Sequence, residues 1–60
     1  MAASKRSQAT AAFHTAKAFV EQARMHRRSG NRVRAHNCLE SATYHRALGR
    51  AILGMGPFPK

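Results

Sequence analysis

The fold of this chain is decided by the stretch Arg28-Ser29-Gly30-Asn31-Arg32, which separates two long segments with helical patterning. Gly and Asn adopt positive backbone angles more readily than other residues, so this pair is typical of a point where one helix ends and the chain reverses. We therefore predict a turn over residues 29–31.

Before the turn, apolar residues recur at steps of three and four, which is the pattern of one helix face. They are Ala9, Ala12, Phe13, Ala16, Phe19, Val20 and Ala23. This pattern predicts a first helix over residues 7–28, preceded by an N-terminal arm over residues 1–6.

After the turn, a second set of residues continues at about 100° per residue and predicts a helix over residues 32–53. The set comprises Ala35, Cys38, Leu39, Ala42, Gly49, Ile52 and Leu53. Pro57 and Pro59 follow, and proline lacks the backbone donor that a helix needs. We expect residues 55–60 to form a flexible tail.

These elements predict an all-α fold, an antiparallel two-helix hairpin over residues 7–54. Twelve of the 60 residues are Ala, so the core of this single domain is expected to be thin. Cys38 is the only cysteine, which excludes an intramolecular disulfide and favours a reducing, cytoplasmic setting.

A second apolar face is predicted on the far side of the second helix. Its members are Val33, Tyr44, Leu48, Ala51 and Met55. One neighbouring helix cannot cover two faces, so we expect a homodimer that forms a four-helix bundle. A larger assembly, an obligate partner protein and a weakly packed monomer are the alternatives.

Five arginines surround the turn and form the densest chemical feature of the sequence, namely Arg24, Arg27, Arg28, Arg32 and Arg34. Eleven Lys and Arg face two acidic residues, giving a net charge of +9. Guanidinium groups pair with phosphate or carboxylate oxygens, so we predict that this tip binds an anion. A solvated tip that only maintains solubility is the competing interpretation.

The sequence thus favours a small, non-enzymatic binding protein whose arginine-rich tip contacts nucleic-acid backbone without strong sequence specificity. An alternative from another class is a regulator or inhibitor, for example virus-encoded, that docks on an acidic surface of a larger enzyme or assembly. It would use the arginines together with the second apolar face. A ribonucleoprotein subunit would show the same charge.

Other classes find little support in the residues. Paired carboxylates and a glycine-rich phosphate loop are missing from the sequence, which argues against catalysis. The four His and Cys38 lack the paired spacing of a zinc site, and we predict neither metal nor cofactor. No apolar run approaches the roughly 20 residues that span a bilayer, so a membrane role is not expected. The acid-free stretch from Met1 to Phe19 resembles an organellar transit peptide, but the helical pattern continues through Glu21.

Overall fold

The computed structural model describes residues 4–59, which fold into two helices packed against each other. Helix α1 spans Lys5–Arg28 and helix α2 spans Arg32–Ile52, with no strand in this part of the chain. The prediction of an all-helical hairpin is confirmed. The hairpin measures 41 × 23 × 14 Å, so it is a slab one helix thick with two broad sides.

Helix α1 begins two residues before the predicted start at residue 7 because Ser4 caps it. The Ser4 hydroxyl oxygen accepts a hydrogen bond of 3.1 Å from the backbone N–H of Ser7, which satisfies one of the free donors of the first turn. The predicted arm over residues 1–6 therefore contributes its last two residues to the helix. Residues 1–3 of that arm lie outside the described part of the chain.

The turn follows the chemistry of its Gly-Asn pair. Gly30 has a φ of +80°, and Asn31 donates its N–H to the carbonyl of His26 at 2.8 Å, which closes the end of α1. The side chain of Asn31 then caps α2, because its oxygen accepts from the N–H of Arg34 at 3.1 Å. A reversal of three residues thus ends one helix and starts the next.

The core between the helices consists of small residues. Its buried members are Ala9, Ala12, Ala16 and Ala23 of α1 with Ala35, Ala42 and Gly49 of α2. Phe13, Phe19 and Val20 are only half-buried at its edges, and Leu39 is exposed although its spacing places it near the core face. Small side chains let the two helix backbones approach closely, and the larger apolar groups close the flanks.

After α2 the chain turns back instead of running on. The helix ends at Ile52, one residue before the predicted end at 53, and Gly54 adopts a φ of +77°. The N–H of Met55 donates to the carbonyl of Arg50 at 2.8 Å, as in the turn after α1. Residues 57–59 then lie beside α2, where they border the same pocket as Thr43 and Ala47. Lys60 is outside the described residues.

Candidate functional site

All five arginines of the predicted tip are exposed. Within residues 4–59 none of them has a carboxylate in ion-pair range, and the one ion pair there joins Nε2 of His36 to Oε1 of Glu40 at 2.9 Å. Neither acidic side chain therefore neutralises the tip. Its guanidinium groups are available for an external anion.

The tip arginines do not form one compact cluster. Arg27 of α1 and Arg32 of α2 border a shared open pocket of about 340 Å³, together with His36. Arg24 and Arg28 stand one turn apart on the outer side of α1. Arg34 projects about 200° round α2 from Arg32 and so faces the other broad side of the slab. The structure brings Arg27 and Arg32 together and separates Arg34 from them.

The start of α2 adds backbone donors beside Arg32. The N–H groups of Asn31 and Arg34 are already bonded within the hairpin. A helix start leaves the N–H groups of its first residues unpaired, here those of Arg32 and Val33, and its dipole favours negative charge. Both features reinforce the arginine side chains at the same end of the molecule.

A stripe of mainly polar residues along α2 extends the basic surface away from the tip. Its members recur at steps of four and three and so share one helix face: Arg32, His36, Leu39, Thr43, Arg46 and Arg50. Arg46 and Arg50 are exposed and without an ion pair in the described region. The prediction from the sequence covered only the arginines clustered around the turn and so missed Arg46 and Arg50. Their helical spacing from Arg32, 14 and 18 residues, was the signal that could have placed them on the same face.

A second open pocket lies at the far end of this stripe. It has a volume of about 580 Å³, and Arg46 and Arg50 border it on the α2 side. Met55, Pro57 and Phe58 border it on the side of the returning chain. The ring of Phe58 is 66% exposed, so an aromatic surface stands beside two free guanidinium groups.

The second apolar face is only partly available. Val33 is 72% and Tyr44 45% exposed, Met55 is exposed in the segment after α2, and Leu48 is half-buried. Ala51, which the sequence also assigns to this face, is only 6% exposed although its helical position points away from α1. It borders a pocket that is lined by Lys5 and Gln8 of α1 and by Gly54 and Phe58 of the chain after α2.

The other broad side of the hairpin is held by aromatic contacts. His45 stacks on Phe19 with ring centroids 5.4 Å apart and meets Tyr44 edge-on at 5.3 Å. Its Nδ1 lies 2.7 Å from the carbonyl oxygen of Ser41, and the Sγ of Cys38 is 4.0 Å from the side-chain oxygen of Gln22. The His45 ring of α2 therefore contributes to the packing of α2 against α1.

Residues 4–59 contain no group of three or more His, Cys, Asp or Glu side chains arranged to hold a metal ion. Neither of the two helices described is long and apolar enough to cross a membrane.

Comparisons with protein-family models, with curated proteins and with solved structures found no significant match to this chain.

Proposed function

We propose that this protein is a non-enzymatic binding module whose arginine-rich tip contacts the phosphate backbone of nucleic acid. The observation that carries the proposal is the exposure of all five tip arginines without an acidic partner among the described residues. A salt bridge to one of these arginines would compete with a ligand, and none of the five makes one within the described residues. Phosphate oxygens suit the planar donor fork of arginine.

Such binding is expected to tolerate any sequence and to depend strongly on salt. Each phosphate that a basic side chain neutralises releases condensed counterions, which adds about 0.9 to the slope of log affinity against log salt for duplex DNA. Because Arg34 faces the other broad side, a duplex that engages the remaining four arginines would give a slope of about −3.6. A two-helix hairpin offers no third helix to brace a recognition helix in the major groove. We therefore propose binding through the phosphate backbone of the nucleic acid.

The test is fluorescence anisotropy of a labelled duplex and a labelled single strand between about 50 and 200 mM salt, the range over which phosphate contacts change affinity most clearly. Arg28→Ala and Arg32→Ala should each weaken binding and flatten the duplex slope by about 0.9. Lys5→Ala removes the same charge about 35 Å away along α1 and should change little. Equal effects of all three variants would contradict a specific role for the tip.

For assembly, we propose a homodimer in which Val33, Tyr44 and Leu48 of two hairpins meet to form a four-helix bundle. The exposure of Val33 and Tyr44 on the side of α2 away from α1 supports it. Burying large apolar groups would compensate for the thin Ala core. The free Cys38 fits a reducing, cytoplasmic setting for this assembly.

The second candidate is a regulator that docks on an acidic protein surface, and the same exposed apolar residues favour it. In that case a few buried anchors would carry the binding energy. Tyr44→Ala would then abolish binding to the partner, whereas the arginine variants would change mainly the association rate. The nucleic-acid and protein proposals therefore predict opposite rankings of the same variants.

A further inference from the structure

We propose that the pocket between α2 and the returning chain is a second nucleic-acid subsite, which holds an unpaired base against Phe58 while Arg46 and Arg50 hold the adjoining phosphates. The inference rests on the proposed function and names its preferred ligand, a single strand. This pocket is open, has a volume of about 580 Å³ and lies at the end of the α2 stripe away from the tip.

The wall of this pocket suits a flat, apolar face. Phe58 is 66% exposed, and Met55, Pro57 and Pro59 border the pocket beside it. An aromatic ring in the open stacks with any base, because every base presents a π-face. The volume of the pocket lies within the range of pockets that take small ligands.

The rim of the pocket suits phosphate. Arg46 and Arg50 stand one helical turn apart on α2, both exposed, and neither has an acidic partner in the described residues. A guanidinium group pairs in a bidentate manner with phosphate oxygens. Base and phosphate contacts are thus offered side by side, as single-strand platforms require.

The subsite is continuous with the tip. Arg32 and Arg50 belong to the same stripe, and 18 residues of helix separate them by about 27 Å. At the spacing of about 3.4 Å per nucleotide of one strand of duplex DNA, about eight nucleotides would cover that distance, and a more extended single strand would need fewer. One strand could therefore contact Arg27 and Arg32 at one end and Phe58 at the other.

The geometry favours a single strand over a duplex. Bases in a duplex are stacked on one another, so their faces are closed to a protein side chain unless they are extruded at a cost. A single strand presents its bases freely and keeps its phosphates accessible. The tip alone would bind both forms, and only the pocket distinguishes between them.

The experiment uses a 12-nucleotide oligothymidylate and a duplex of about the same length, both longer than the estimated span. Phe58→Ala should weaken binding of the oligothymidylate by about fivefold to a hundredfold and leave the duplex affinity within about twofold. Arg46→Gln with Arg50→Gln should also weaken it. Lys17→Glu removes the same two units of charge at an exposed position of α1 that borders neither Phe58 nor the pocket beside it, and should have little effect.

A second readout does not depend on affinity. The natural chain has no Trp, so Phe58→Trp places a single indole fluorophore in the pocket. Its emission should be quenched by the oligothymidylate and not by the duplex, whereas Ala11→Trp, at an exposed site on α1 outside the tip, should not respond. Quenching of the Phe58→Trp emission, together with weaker oligothymidylate binding by Phe58→Ala, supports the subsite.

The outcomes separate the two proposals. If the emission of the Phe58→Trp variant stays constant at saturation and Phe58→Ala binds normally, while Arg28→Ala still weakens binding, the subsite is overturned and the tip proposal stands. If equal losses follow Lys17→Glu and the double substitution of Arg46 and Arg50, net charge explains the effect and the subsite fails. If neither nucleic acid binds, both proposals fail.

Discussion

The ring of Phe13 lies directly over Gly49, so close that a Cβ at position 49 would come within 2.7 Å of Cε1 of Phe13. Gly49 sits inside α2, where glycine is otherwise unfavourable by about 0.5–1 kcal/mol relative to alanine. The missing side chain therefore has a packing reason. It lets an aromatic ring of α1 rest on the backbone of α2.

Gly49→Ala should lower the free energy of unfolding by about 1 kcal/mol, because overpacking outweighs the gain in helix propensity. Urea denaturation followed by circular dichroism would measure the change. In a Phe13→Ala background the contact is gone, and the same substitution should become neutral or stabilising. An identical loss in both backgrounds would show that the ring is not the cause.

Asn31→Ala should destabilise the hairpin by about 1 kcal/mol, because Asn31 caps α2 through its bond to the N–H of Arg34. Asn31→Asp keeps the acceptor and adds negative charge at the helix start, so its stability should match or exceed that of the natural chain. Asn37→Ala is the matched control, since Asn37 is exposed inside the same helix. The midpoints of urea denaturation of the three variants and the natural chain give their order of stability.

Gly30→Ala should lower the free energy of unfolding by about 1 kcal/mol, although an added Cβ at position 30 would meet open space. The reason is the φ of +80°, which L-residues with a side chain adopt at a cost. Gly56→Ala, also in open space but without a positive φ, should be close to neutral. A thermal scan of both variants compares conformation alone, because neither side chain gains contacts.

Ala16→Leu should be strongly destabilising, by about 1–3 kcal/mol, because Ala16 is buried between the helices and a larger side chain would push them apart. Ala11→Leu is the matched control, since Ala11 is exposed on the same helix. Its effect should stay within about 0.5 kcal/mol. Equal melting temperatures for the two variants would argue against close helix packing.

Tyr44→Asp should convert the proposed dimer into a monomer, because a charge would be buried at the centre of the interface. Light scattering at high salt would then report about 6.6 kDa, the mass of one chain, and twice that mass for the natural protein. Met25→Asp changes an exposed apolar residue of α1 and should leave the mass unchanged. A natural chain of monomeric mass at high concentration would contradict the dimer.

Local chemistry accounts for what could be predicted from the sequence. Gly30 and Asn31 specify the reversal through backbone conformation and capping, and the Ala periodicity specifies which faces meet. The burial of Ala51 could not be predicted in this way. Gly54, with its positive φ, turns the chain back along α2, and helical periodicity carries no information about that path. The pocket beside Phe58 could not be predicted for the same reason. It forms only because residues 55–59 fold back beside Thr43, Arg46 and Arg50 of α2.

The alanine core has a consequence for calorimetry. Unfolding a chain of 60 residues absorbs only about 40 kcal/mol near 60 °C, and small buried side chains keep the heat-capacity increment at the low end. A small enthalpy makes the melting curve broad, and 1 kcal/mol of added stability then moves the midpoint by several degrees. A ligand present at one hundred times its Kd adds about 2.7 kcal/mol. Thermal shift is therefore a sensitive detector for whatever this hairpin binds.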